Sequence, residues 1–193
     1  MHDGTEQFGN VNNNRFCAIN RCAMVENNIQ NDKGITPKKQ KTPAESAVEM
    51  TQLVLPNDTN ILGNLLGGTL MHWIDIAGAM AASRHSNRVV ATVALDSLDF
   101  RHPVRCSELV ILKAKLTWVG RTSMEVKVEV FAENYRTGAI IQTNKAYITY
   151  VALDDEGNPT PVPELIPETE EEKIEYEEAK RRREERLARK KTT

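Results

Sequence analysis

Apolar and polar positions follow two rhythms between residues 46 and 158. From Thr69 to about His85, Leu70, Ile74, Ala77 and Ala81 recur at helical spacing, while Met71, Ile76, Ala79 and Met80 spread apolar character round most of the segment. A helix apolar on most sides is one that a fold buries. The period then drops to two. Val89, Ala91, Val93 and Leu95 alternate with Val90, Thr92, Ala94 and Asp96; Val110, Leu112, Ala114, Leu116 and Trp118 alternate with Lys113, Lys115 and Thr117. Met124, Val126, Val128 and Val130 alternate with Glu125, Lys127 and Glu129, and a last run extends from Ile140 to Val151. These runs predict four strands, with Gly120 to Ser123 and Glu133 to Gly138 as hairpin loops. An earlier extended segment, Val48 to Leu55, stops at Pro56. The order predicts an α+β fold in which one long buried helix is wrapped by a curled antiparallel sheet.

Both flanks lose this periodicity. Residues 1–45 are rich in asparagine and end in Lys38, Lys39 and Lys41 interrupted by Pro43; they offer too little apolar surface to offset ordering, which predicts a disordered leader. The folded domain is expected at 46–158. Residues 159–193 begin as a Pro-rich connection and continue in a run of Glu, Lys and Arg from Glu168 to Lys191, where Glu177 and Arg181, Glu178 and Arg182, and Glu185 and Arg189 stand four apart. That pattern predicts a charged, solvated C-terminal helix with Ile174, Tyr176 and Leu187 as its few docking residues.

Composition narrows the classes. Among 193 residues, 25 Lys and Arg against 27 Asp and Glu leave a formal charge of −2, which argues against a nucleic-acid binder relying on global positive charge. No stretch approaches the roughly 18 apolar residues of a membrane span, and the N-terminus lacks the apolar run of about 7 to 15 that a secretory signal needs, so a soluble cytoplasmic protein is expected. Cys17, Cys22 and Cys106 form neither a disulfide framework nor a metal-ligand pattern, so no metal site is expected.

The chemistry concentrates at the start of the helix. Gly67 and Gly68 fall where it begins, and an open helix N-terminus offers unpaired N–H groups and partial positive charge able to stabilise an oxyanion. Asp75 lies between Ile74 and Ile76 in the apolar helix, where a carboxylate is costly without a partner or a task. Seven helical residues from Gly68 to Asp75 span about 10.5 Å, too far for one small carbonyl to touch both in one chain. A site built from both is most easily assembled across a two-fold dimer interface.

Leu55 to Asn60, Gly63, Gly67-Gly68 and the helix Met71-His72-Trp73-Ile74-Asp75-Ile76-Ala77-Gly78-Ala79 resemble the signature of hotdog-fold acyl-CoA thioesterases, in the branch containing the brain acyl-CoA hydrolase and its bacterial relatives. Phe100 to Val104, Gly120 to Met124, Tyr147 to Val151 and Pro161 to Thr169 extend the resemblance over about residues 46 to 175. It implies hydrolysis of fatty acyl-CoA to free fatty acid and coenzyme A without a cofactor, by an oligomer that is a dimer or a trimer of dimers, often hexameric in the family. In that likeness Asp75 is the catalytic carboxylate, as general base or nucleophile; Asn60 positions water or substrate; and Gly68 donates its N–H to the thioester oxygen. Gly67, Arg88, Arg121 and Ser123 are then candidates to contact substrate and coenzyme A, Arg101 and Arg105 being further candidates for its phosphates. The alternatives are a non-catalytic acyl-CoA binding or sensing module on the same fold, and a hydratase pairing His72 with Asp75.

Overall fold

The computed structural model describes residues 39–98 and 102–191, which form seven strands and two α-helices. In chain order these are β1 (Gln40–Lys41), β2 (Val48–Leu53), α1 (Gly67–Ser86), β3 (Val89–Leu98), β4 (Leu109–Val119), β5 (Ser123–Asn134), β6 (Ala139–Leu153), β7 (Glu164–Leu165) and α2 (Glu170–Lys191). Five of the strands make one antiparallel sheet in the order β2-β4-β5-β6-β3. Because β2 and β3 are successive strands at opposite edges, α1 between them has to cross a face of that sheet.

The periodicities explain which face. Leu70, Ile74, Ala77 and Ala81 of α1 are buried against Leu112 and Leu116 of β4, Val126 and Val128 of β5 and Ile148 of β6, the apolar members of each alternation. The charged members, including Lys113, Lys115 and Lys127, belong to the opposite face. Burial of α1 is nevertheless one-sided within a protomer. Met71, Ile76 and Met80 remain exposed, so the apolar character that reads as all-round burial leaves a second, uncovered face.

Both flanks are more ordered than their composition suggests. Gln40 and Lys41, in the stretch expected to be a disordered leader, pair in parallel with Glu164 and Leu165. Lys41 Nζ also donates to the carbonyls of Arg84 and His85, each at 2.7 Å, at the C-terminus of α1. A cation on those unpaired carbonyls satisfies the negative end of the helix, and the left-handed Asn87 (φ 53°) closes the turn. Thr42 N–H donates to Glu45 Oε2 at 2.8 Å and Ala44–Ser46 form a short 3-10 turn, while residues 1–38 lie outside the described residues.

The C-terminal helix corrects the solvated reading. Thr169 caps it: Glu172 N–H donates to Thr169 Oγ1 at 3.2 Å and Thr169 N–H returns a bond to Glu172 Oε2 at 3.3 Å. From there α2 lies on the charged face of the sheet, with Ala179 fully buried and Tyr176 packed against the core. Ile174 and Leu187 stay exposed. Charge does the docking: Lys115 meets Glu172 at 2.5 Å, Lys127 meets Glu175 at 2.6 Å, and Glu125 meets Arg182 at 2.7 Å. Acidic residues near the start of α2 and basic ones further along also suit its dipole.

Candidate active site

The loop before α1 is closed by its own polar groups. Asp58 Oδ2 accepts from Leu55 N–H at 3.0 Å, and Leu66 N–H donates to the Asp58 carbonyl at 2.9 Å. Asn60 Oδ1 accepts from the N–H groups of Leu62 (2.9 Å) and Asn64 (3.2 Å), a turn in which Gly63 adopts φ +73°. The oxygen of Asn60 therefore shapes the loop, and its amide NH2 is the end available to a ligand. A cleft beside it is lined by Asn64, Leu65, Leu70, His102 and Val104.

Next comes a helix start without a side-chain cap. Leu66 precedes α1 and provides no capping hydrogen bond, so the N–H groups of Gly67 and Gly68 open the helix with no partner from the cap. Gly68 is exposed, and the space where a Cβ would project from it is clear for 4 Å. A small anionic oxygen can approach such a backbone closely.

Two turns on, Asp75 points toward β3 and β6. Its Oδ1 accepts from Thr92 Oγ1 at 2.8 Å and from the Tyr150 hydroxyl at 3.2 Å, and the same hydroxyl lies 3.0 Å from the Asp75 carbonyl. Thr92 and Tyr150 are register partners on β3 and β6, so they present their hydroxyls from one face of the sheet. Burial, reinforced by the neighbouring Asp75 carboxylate, pushes the Tyr150 phenol far up, so it serves as a neutral donor. Gly78 makes the approach possible: a Cβ there would stand 2.4 Å from the Tyr150 hydroxyl oxygen and 3.1 Å from ring carbons Cε2 and Cζ. Both bonds fall on Oδ1, and among the described residues none falls on Oδ2.

Thr92, Tyr150 and Gly78 are the residues that the sequence reading missed. Each lay inside a run read for its periodicity; cross-strand register brings the Thr92 and Tyr150 hydroxyls together on Asp75, and Gly78 leaves room on α1 for Tyr150.

The other candidates separate. Arg88 lies just beyond the C-terminus of α1 in a cleft with Ser83, Val89 and Asp155, at the far end of the helix from Gly67. Arg121 lines a different groove, with Pro161, Val162 and Tyr176. Ser123 opens β5 opposite Val151, next to Tyr150. Arg105 is exposed on the loop before β4, and Arg101 lies outside the described residues. His72 is exposed, whereas His85 is buried between Ser46 Oγ and the Pro163 carbonyl, each 3.0 Å from a ring nitrogen. Among the described residues no group of three or more His, Cys, Asp or Glu is placed to hold a metal ion.

Comparison with known proteins gives this geometry a context. The thioesterase superfamily profile matches residues 62–139. The acyl-CoA thioester hydrolase of Bacillus subtilis, itself uncharacterized, is 43% identical over 146 residues, 76% of this chain and 85% of that protein. A crystal structure of an apo-hexameric acyl-CoA thioesterase superposes with a TM-score of 0.75 at 41% identity, covering 78% of this chain and 96% of the other. The acyl-CoA hydrolase of Staphylococcus aureus, solved with butyryl coenzyme A, coenzyme A and coenzyme A disulfide, gives 0.73 at 36% identity, over 78% and 92% of the two chains. Alanine variants of that hydrolase at an asparagine, an aspartate and a threonine have also been solved, at positions 15 and then 17 residues apart.

Proposed function

The chain belongs to the thioesterase superfamily, and from that membership and the surroundings of Asp75 we propose that it hydrolyses fatty acyl-CoA to a free fatty acid and coenzyme A. The carrying observation is the convergence of two neutral hydroxyls on one oxygen of a helix carboxylate. Thr92 and Tyr150 fix the rotamer of Asp75 through Oδ1, which leaves Oδ2 as the reacting oxygen. That oxygen either takes a proton from water as water attacks the thioester carbonyl, or attacks the carbonyl itself to form a mixed anhydride, which water then hydrolyses to the free fatty acid and the regenerated carboxylate. In both routes negative charge builds on the thioester oxygen, and the open N–H of Gly68 is suited to stabilise it. The leaving thiolate takes up a proton and departs as coenzyme A. Asn60, Asp75 and Thr92 stand 15 and 17 residues apart, the spacing of the three substituted positions in the Staphylococcus hydrolase, which supports a shared role for all three.

One protomer does not complete the site, because Gly68 and Asp75 lie about 10.5 Å apart along α1. The reading therefore includes self-association through β3. Among the described residues this strand is bonded on one side only and exposes Val89, Val93 and Leu95, and α1, which packs against it, leaves Met71, Ile76 and Met80 uncovered. Pairing β3 with its copy gives a dimer that joins one helix start to the other carboxylate, and the hexameric neighbour supports a trimer of such dimers. Gly67, Arg88, Arg121 and Ser123 remain our candidates for contacts to substrate and coenzyme A, no cofactor is invoked, and the compartment we propose is the cytoplasm. No helix among the described residues is long and apolar enough to cross a membrane.

The test is release of free thiol from acyl-CoAs of graded chain length by wild type and Asp75→Asn, with assembly checked by size exclusion. A fall of about a hundredfold or more in an assembled variant is expected. Wild-type turnover by the variant overturns the assignment of Asp75. Acyl-CoA binding without turnover by wild type at any chain length replaces hydrolysis with a sensing module.

A further inference from the structure

The ion pairs between α2 and the sheet form a sequence of rungs, and the last differs from the others. Glu172 is bonded by Lys115 of β4, Glu175 by Lys127 of β5, and Arg182 by Glu125 of β5, all strands inside the sheet. One turn beyond Arg182, Arg186 is bonded to Asp96 of β3, the edge strand that carries Thr92. The two side chains are only 12% and 10% exposed. A charge pair so shielded holds its geometry more firmly than one on an open surface.

Asp96 also occupies a special place in its strand. Along β3, Thr92 pairs with Tyr150, Ala94 with Thr149, Leu95 with Ile148 and Ser97 with Tyr147, so Val93 and Asp96 are the extra residues of two bulges. Bulges re-aim the side chains around them, and each leaves one residue of β3 without a partner on β6 to fix its direction. The first bulge follows Thr92 directly; the second is the one that α2 grips.

We propose that Arg186 is a positioning residue for the hydrolysis. By holding Asp96 in its bulge, it fixes the course of β3 between the two bulges and so aims the Thr92 hydroxyl at Asp75 Oδ1. The C-terminal helix is thereby connected to the catalytic carboxylate through Asp96 and Thr92, although it contributes no atom to the reaction. The inference rests on the reading of Asp75 and Thr92 given above.

Steady-state kinetics on the full-length, assembled protein test it through a double-mutant cycle. Arg186→Ala is expected to lower kcat about tenfold with KM little changed, and Arg186→Lys to recover most of the loss. In a Thr92→Val background, already slow, Arg186→Ala should add less than about twofold, because the hydroxyl it positions is gone. Asp96→Asn serves in place of Arg186→Ala if the latter does not assemble. An unchanged kcat in the single variant, or the same fold-loss in both backgrounds, overturns the positioning role while leaving the catalytic reading intact. Wild-type kcat in Thr92→Val overturns both.

Discussion

Gly78→Ala is the sharpest perturbation of the site, since it adds one methyl group at a known place. The new Cβ would lie 2.4 Å from the Tyr150 hydroxyl oxygen, about 1 Å short of the 3.4 Å at which ordinary contact begins. Tyr150 cannot yield cheaply: it is fully buried, its ring is rigid, and its hydroxyl holds Asp75. Overpacking of this kind costs about 2 kcal/mol, and weakening the hydroxyl's bonds adds about 1 kcal/mol. Against this, alanine is favoured over glycine within a helix by about 1 kcal/mol. The net is a loss of about 2 kcal/mol, or about 4–8 °C in melting temperature for a chain of this size, compared at one protomer concentration. Thiol release should fall as well, because Asp75 loses a donor. Tyr150→Phe removes the atom in closest conflict and leaves contacts near 3.1 Å, so Gly78→Ala in that background should cost no more than about 1 kcal/mol. A Gly78→Ala protein that melts at or above the wild-type temperature with Tyr150 present would refute the packing of Tyr150 against α1, and with it the account of how Asp75 is held.

Two further outcomes follow from other parts of the fold. Burial, outweighing the bond to the Pro163 carbonyl, lowers the proton affinity of His85; Nε2–H donates to that carbonyl and Nδ1 accepts from Ser46. Its contribution to stability is therefore whole above about pH 6.5 and is lost as pH falls through the lower folded-state value, with a slope of at most about 1.4 kcal/mol per pH unit. Denaturant unfolding between pH 5 and 7 should show a shallower pH dependence in His85→Gln than in wild type, and equal slopes would refute the assignment. Val93→Lys places a charge on the apolar face of the exposed β3 edge and should shift the assembly to smaller species in light scattering, whereas an unchanged mass would exclude that edge from the dimer contact.

Much of this architecture could be read from local chemistry. The spacing of Leu70, Ile74, Ala77 and Ala81 marks the inner face of α1, and the alternation of Val126, Val128 and Val130 with charged neighbours marks the inner face of β5, because each pattern reports contacts made within a few residues. Asp75 stands out in the sequence for a similar reason: a carboxylate among isoleucines is locally anomalous. The partners of Asp75 do not. Strict alternation along β3 would put Thr92, Ala94 and Asp96 on one face, yet the two bulges turn Thr92 toward Asp75 and Asp96 toward Arg186. A bulge is a decision of the paired strands, and single-strand periodicity does not contain it.

The C-terminal helix shows the same limit from the side of electrostatics. A run of Glu, Lys and Arg is read as solvated because an isolated charge loses free energy on burial, and that holds unless the surface it meets offers the opposite charge at each step. Here the sheet does so: Lys115 and Lys127 face the acidic beginning of α2, and Glu125 and Asp96 face its arginines. Glu125 is only 1% exposed yet fully engaged, with Thr117 Oγ1 donating to it at 2.7 Å beside Arg182, whose guanidinium lies 3.7 Å from the centre of the Tyr147 ring. Truncating α2 would remove Arg182 and Arg186 together and leave Glu125 and Asp96 as like charges on one sheet face, without the cations that neutralise them. Lys115, Lys127, Glu125 and Asp96 thus belong to an interface within the chain, while Lys113 on the same face stays exposed beside Glu49, and the part of the polar exterior that α2 covers is a second packed layer reaching through Asp96 to the strand that carries Thr92.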